Sequence, residues 1–188
     1  MKIGLYFGSF NPIHMGHLCV AQYILEHAAF HQIWFVVSPH NPFKEKDSLL
    51  PQDQRFQMVQ AAIQDNPSFI ASDVEFSMPQ PSYTIHTLEA LKQQHPEHQF
   101  SLIMGADNLI GLPNWHQVNK ILEFPIHVYK RQGSQLESPV NGDFTYHQAP
   151  QIGISSTYIR QCISQGLSIR YLVPEAVHDF ILANKFYL

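Results

Sequence analysis

The apolar positions of this chain alternate between two periods. Residues 2–7 (KIGLYF), 33–38 (IWFVVS) and 100–105 (FSLIMG) are short, nearly continuous apolar runs. Such runs mark strands buried on both faces. Residues 69–76 (FIASDVEF) and 125–131 (PIHVYKR) read as two further strands. Between these runs the spacing turns helical. Residues 17–27 carry Leu18, Ala21, Ile24 and Leu25 on one face, with Ala28 just beyond; residues 51–64 carry Phe56, Val59, Ala62 and Ile63. A helix over 84–94 stops before Pro96, and a short one is predicted over 115–122. Residues 154–166 (ISSTYIRQCISQG) read as a capped helix, with Ser155 or Ser156 at its start and Gly166 at its close. A last helix runs from about Pro174 to Lys185, and residues 132–150 read as polar and irregular.

Strands separated by helices predict βαβ units. The expected fold is α/β: a doubly wound, Rossmann-like parallel sheet with helices on both faces and a small C-terminal helical region, about 154–188, in one domain over 1–188. Such sheets bind ligands at the carboxyl ends of their strands.

Composition narrows the classes. A chain of 188 residues, 45% hydrophobic, is long enough for one real core. Charged residues are only 14% and the formal net charge is -4, so no basic excess points to nucleic acid. No apolar stretch is long enough to span a membrane, and the first apolar run is too short for a secretion signal. The expected location is the cytoplasm. Cys19 and Cys162 show no paired spacing and read as thiols in a reducing compartment. A homo-oligomer is left open.

The chemistry gathers where the first strand ends, in GSFNPIHMGH (8–17). Gly8 and Ser9 follow the strand, and a glycine there admits close backbone approach. Asn11-Pro12 initiates a turn. A helix starting near Met15–Gly16 places His14 and His17 around its N-terminus, whose N–H groups and positive dipole suit phosphate. The two imidazoles add directed donors. Two readings stay beside this one. The histidines could cap or pack, or they could share a helix face as metal ligands, although no third ligand is evident nearby.

GSFNPIHMGH resembles the first signature of the nucleotidylyltransferase superfamily that carries H-x-G-H, and ISSTYIR (154–160) resembles its second. The two lie about 140 residues apart, and the resemblance extends over essentially the whole chain. Within the superfamily the chain looks most like the bacterial nicotinate-nucleotide adenylyltransferases. SPHNPFK (38–44) is similar to their loop after the second strand, which ends in a basic residue, here Lys44. PSYTIHTL (81–88) is similar to the stretch whose backbone and threonine meet a nicotinate carboxylate. GADNLIGLPNWHQVNKIL (105–122) is similar to the stretch that supplies a tryptophan for the pyridine ring. The chain departs from the pattern at Phe7, where a glycine is often found, and at His86, where the family usually has an acidic residue.

The resemblance implies transfer of AMP from ATP to nicotinate mononucleotide, giving deamido-NAD and pyrophosphate in NAD biosynthesis. It implies His14, His17, Lys44 and Arg160 as catalytic. It implies ATP contacts from Gly8, Ser9, Phe10, His14, His17, Gly105, Asp107, Ile154, Ser155, Ser156, Thr157 and Arg160. Acceptor contacts are implied for Ser9, Lys44, Tyr83, Thr84 and Trp115. Mg²⁺ accompanies ATP, with no fixed protein ligands. The alternatives are a nicotinamide-mononucleotide or pantetheine-phosphate adenylyltransferase, or a non-catalytic nucleotide sensor on the same fold. The ten histidines other than His14 and His17 read as surface or local hydrogen-bonding residues.

Overall fold

A computed structural model describes residues 1–39, 49–130, 138–150 and 152–188. Strands β1 (Lys2–Gly8), β2 (Gln32–Val37), β3 (Phe69–Ser72), β4 (Gln99–Gly105), β5 (Ile126–Tyr129) and β6 (Phe144–His147) form one sheet in the order β3-β2-β1-β4-β5-β6. Every pairing is parallel. The helices are α1 (Met15–His27), α2 (Gln52–Ile63), α3 (Thr84–Gln94), α4 (Ala106–Gly111), α5 (Val118–Ile121), α6 (Ser156–Ser164) and α7 (Glu175–Asn184).

The period of two along β1 divides the interior. Ile3 and Leu5 join Ile85, Leu88 and Leu91 of α3 and Leu109 of α4 in one core. Tyr6, on the opposite face, joins Ile24 of α1, Met58 and Val59 of α2, Ile159 of α6 and Val177 of α7 in the other. Each fully buried Ile or Leu contributes about 1.5–3 kcal/mol. The sheet is therefore covered on both faces, as its near-continuous apolar strands require. β2 and β3 extend to one side of β1; the chain then crosses to lay β4, β5 and β6 on the other. The loops after β1 and β4 leave in opposite directions, which opens a crevice at the carboxyl ends of the strands.

Four elements differ from the sequence reading. The third strand ends at Ser72, and Val74–Ser77 is a 3₁₀ turn. Its Glu75 is buried and accepts hydrogen bonds from Ser82 Oγ at 2.9 Å and Thr87 Oγ1 at 2.8 Å; a buried carboxylate needs such donors. The helix expected over 115–122 is broken. α4 follows β4 with no intervening loop, Leu112–Asn114 is 3₁₀, and α5 has only four residues. Pro113 lacks the N–H that would extend α4, and Gln117 adopts φ 50°. The irregular segment 132–150 contains β6, a short edge strand whose middle residues are exposed, so it carries little apolar pattern. The last helix starts at Glu175, with Pro174 as its N-cap.

Both cysteines are free, Cys19 half-buried and Cys162 buried. No helix among the described residues is long and apolar enough to cross a membrane.

Candidate functional site

The loop leaving β1 is folded onto its own aromatic floor. A Cβ at Gly8 would lie 2.8 Å from the Phe10 ring, so glycine is what lets Phe10 tuck under the strand end. Phe10 adopts φ 45° and is buried. Its ring meets that of His17 edge-on at 5.2 Å and also packs on Tyr6 and Phe35. The Phe10 ring is thus the floor beneath His17.

His14 is the N-cap of α1 and His17 its third residue. The His14 N–H donates to His17 Nδ1 at 3.3 Å, and the two rings stack at 3.7 Å with 25° between planes. A nitrogen that accepts carries no proton, so the proton of a neutral His17 resides on Nε2, which becomes a donor. Gly16 makes the stack feasible, because a Cβ there would sit 3.0 Å from His14 Nδ1. The H-x-G-H spacing is therefore a stacked imidazole pair lying over a glycine. The first N–H of α1 is not available to a phosphate: Met15 N–H donates to the Leu172 carbonyl at 3.0 Å.

The second motif is bonded to the first. Ser155 caps α6, its Oγ accepting from Tyr158 N–H at 3.2 Å. Ser156 Oγ donates to the Pro12 carbonyl at 2.9 Å, and Arg160 Nη1 donates to the Asn11 carbonyl at 2.9 Å. Arg160 Nη2 lies 3.5 Å from Thr157 Oγ1. These bonds use part of the five donors of the guanidinium. Thr157 is exposed, and Ile154 packs against the core that holds Tyr6. The structure brings Ser9, Phe10, His14, His17 and residues 154–160 together.

Arg55, which no motif reading singles out, organises this mouth. Its side chain is fully buried. Nε donates to the Leu50 carbonyl at 2.8 Å, Nη1 to Ser9 at 2.6 Å and Ser38 at 2.8 Å, and Nη2 to Pro39 at 2.8 Å. Burial lowers its pKa to about 10, partly opposed by Tyr187, so the charge persists at neutral pH. One guanidinium thus ties the end of β1 to the end of β2. Lys44, in the loop that follows β2, lies outside the described residues. A sequence signal for Arg55 exists: it precedes Met58 and Val59 by three and four residues, on the apolar face of α2. Asn11 is the second organiser. Its Oδ1 accepts from Leu50 N–H at 3.3 Å and from the Tyr187 hydroxyl at 2.7 Å. Burial raises the Tyr187 pKa against the pull of Arg160 and Arg55, which keeps that hydroxyl a donor.

Gly105 and Asp107 stand at the end of β4 and in the first turn of α4. The Tyr6 and Tyr129 hydroxyls meet at 3.1 Å and link β1 to β5 beneath this point. Across the crevice, Tyr83 rather than Thr84 is the N-cap of α3, and Thr84 is its first residue. Trp115 is half-buried against the α3-side core. Exposed Tyr83 packs on His116 with centroids 4.4 Å apart, and His86 meets both rings at 5.7 and 5.4 Å.

Other histidines are less scattered than the sequence suggests. His127 Nδ1 and His147 Nε2 share a hydrogen bond of 2.8 Å across β5 and β6. Burial, then the neighbouring His147, pushes His127 down to about 4; burial, then His27, lowers His147. His95, Glu97 and His98 place ligand-type atoms within 4.8 Å of one another before β4, where no cluster was expected.

Residues 5–162 match the cytidylyltransferase-like family model. The chain is 48% identical to the probable nicotinate-nucleotide adenylyltransferase of Flavobacterium johnsoniae, covering 100% of this chain and 99% of that protein. It is 47% identical to the one of Cytophaga hutchinsonii, covering 100% and 98%. Among solved structures it is similar in fold to the Plasmodium falciparum nicotinic acid mononucleotide adenylyltransferase complexed with NaAD, with a TM-score of 0.83, 21% identity, and coverage of 99% and 97%.

Proposed function

The chain belongs to the cytidylyltransferase-like family and, within it, to the nicotinate-nucleotide adenylyltransferases, and we propose that it transfers AMP from ATP to nicotinate mononucleotide, as an enzyme of NAD biosynthesis. The observation that carries this reading is the junction of the two motifs. Ser156 and Arg160 bond to the carbonyls of Pro12 and Asn11, two and three residues before the stacked His14–His17 pair. Imidazole, hydroxyl and guanidinium donors are thereby gathered at the carboxyl end of β1, beside a helix N-terminus.

The reaction needs little covalent help. A phosphate oxygen of the mononucleotide attacks the α-phosphorus of ATP; the bond from that phosphorus to the bridging oxygen of the β-phosphate breaks, and pyrophosphate leaves. The acceptor brings its own anionic nucleophile, so no protein nucleophile or general base is required. Catalysis is then positioning and stabilisation of charge on phosphate oxygens. His17, with its proton on Nε2, donates to the α-phosphate as charge develops. His14 fixes that tautomer through its backbone N–H and braces the ring by stacking. Arg160, Ser155, Ser156 and Thr157 hold the outgoing phosphates. Ser9 and Lys44 flank the acceptor phosphate, Thr84 and Tyr83 receive its carboxylate end, and Trp115 lies against its ring. Gly105 and Asp107 bound the ATP ribose.

The donors assembled here suit phosphate oxygens rather than a hard cation, so Mg²⁺ is expected to travel on the phosphates of ATP. Bound there, it supplies charge neutralisation for the departing pyrophosphate.

ATP labelled on the α-phosphorus tests the reading. Label should move into a dinucleotide when nicotinate mononucleotide is present, and label on the γ-phosphorus should leave as pyrophosphate. Nucleotide binding without transfer of label to any mononucleotide would make the chain a binding module instead.

A further inference from the structure

His86 is a departure from the family pattern that the mechanism above does not use. The structure gives it company. His86 in the first turn of α3 and His116, beside Trp115, lie 5.4 Å apart by ring centroid, and both pack on Tyr83. All three rings are exposed. Two segments distant in sequence thus bring two imidazoles onto one face at the start of α3.

No carboxylate among the described residues bonds to either imidazole. Glu89, one turn along α3 from His86, is engaged by Lys120 of α5 at 3.0 Å. Glu75 in the 3₁₀ turn behind α3 is buried and bonded to Ser82 and Thr87. Asp107 on α4 has Oδ1 folded back against Gly105. Lys92 lies over the Phe124 ring at 5.5 Å. His116 Nε2 meets the Gln117 side-chain amide at 2.9 Å; with the amide donating, the free imidazole proton resides on Nδ1. The acids and cations on the elements around this face therefore have partners, while the two imidazoles have rings and an amide. An anion arriving with a ligand would meet donors without displacing a protein carboxylate.

We propose that His86 and His116, held against Tyr83, read the carboxylate on the acceptor's ring and set the preference for an acid over an amide acceptor. This rests on the acceptor assignment made above. Imidazole changes charge between roughly pH 5 and 8, so discrimination strengthens as the pH falls. The nicotinamide form carries no charge at that position and gains nothing from imidazolium.

The test is steady-state kinetics with ATP and each mononucleotide, nicotinate and nicotinamide, from pH 5.5 to 8.5. The readout is the ratio of their kcat/KM values. Titration of groups that serve both acceptors alike cancels in that ratio. The wild-type ratio should fall by about fivefold from pH 6 to pH 8, the worth of one exposed charge pair. In His86→Gln/His116→Gln the ratio should be lower at pH 6 and flat with pH, through KM for nicotinate mononucleotide, with KM for ATP unmoved. A flat wild-type ratio, or a double variant that keeps the slope, overturns the inference while leaving adenylyl transfer intact. No turnover with either mononucleotide at any pH would instead overturn the function itself, and this inference with it.

Discussion

On the β1 side of the crevice the shaping side chains are buried and bonded to backbone; on the α3 side they are exposed and held by one another. His14 is 6% exposed, Asn11 4% and Arg55 0%. Arg55 alone holds four carbonyls, and Asn11 joins Leu50 to Tyr187. Tyr83, at 38% exposed, keeps its place through ring contacts with His86 and His116. The difference has a physical origin. A buried polar group is costly unless satisfied, so its geometry is determined by its partners. That preorganises donors for a transition state. An exposed ring pays little for moving, so the same scaffold can change what it accepts without disturbing what it transfers.

Removing the reacting donor should produce the largest effect. His17→Ala is expected to lower kcat by about 10²–10³-fold with ATP binding and the folded state retained. Near-normal kcat, measured beside ATP affinity and circular dichroism, would remove the charge-stabilising role. Arg55→Met comes next. It leaves the carbonyls of Leu50, Ser9, Ser38 and Pro39 buried without their donor, and should cost at least about 3 kcal/mol in urea unfolding. Arg55→Lys, which keeps the charge but not the fork, should fall between the two. A loss under about 1 kcal/mol would mean that those loops hold without it.

The exposed side should respond more mildly and to one substrate only. Trp115→Ala is expected to raise KM for the mononucleotide about tenfold, with a much smaller change for ATP. That is the worth of one ring contact, roughly 1.4 kcal/mol. Equal changes in both constants would move Trp115 into the core.

The smallest effect lies away from both mouths. His127 and His147 titrate lower in the fold than their ordinary 6.5, so the unfolded chain binds protons first. Stability should be full above about pH 6.5 and fall as the pH drops toward 4. The melting temperature should decline over that window, and His127→Gln should flatten the decline. An unchanged slope would place the acid sensitivity elsewhere.

Much of the α/β alternation could be read from the chain because strands buried on both faces are apolar throughout and helices carry one apolar stripe. α3 and the Ser155 cap of α6 lie where the pattern placed them. β6 did not show, because a four-residue edge strand with exposed middle residues carries no such run. The break between α4 and α5 depends on Pro113 and a left-handed Gln117, a conformation that sequence pattern does not report. At the site, His14 and His17 were legible as a spaced pair before a helix. Arg55 carried a signal in its place on the apolar stripe of α2, but its partners were not legible, since Ser9 and Ser38 lie 46 and 17 residues away. The burial of the Phe10 ring beneath His17 was not legible for a related reason: a motif position does not reveal which way a side chain turns.

The most direct measurement is pyrophosphate release with ATP and Mg²⁺, offered nicotinate mononucleotide, nicotinamide mononucleotide and phosphopantetheine side by side. The account predicts release with nicotinate mononucleotide well above that with the other two. Preference for phosphopantetheine or for the nicotinamide form would leave the buried mouth as described and contradict the acceptor assignment. Absence of release with all three would contradict adenylyl transfer.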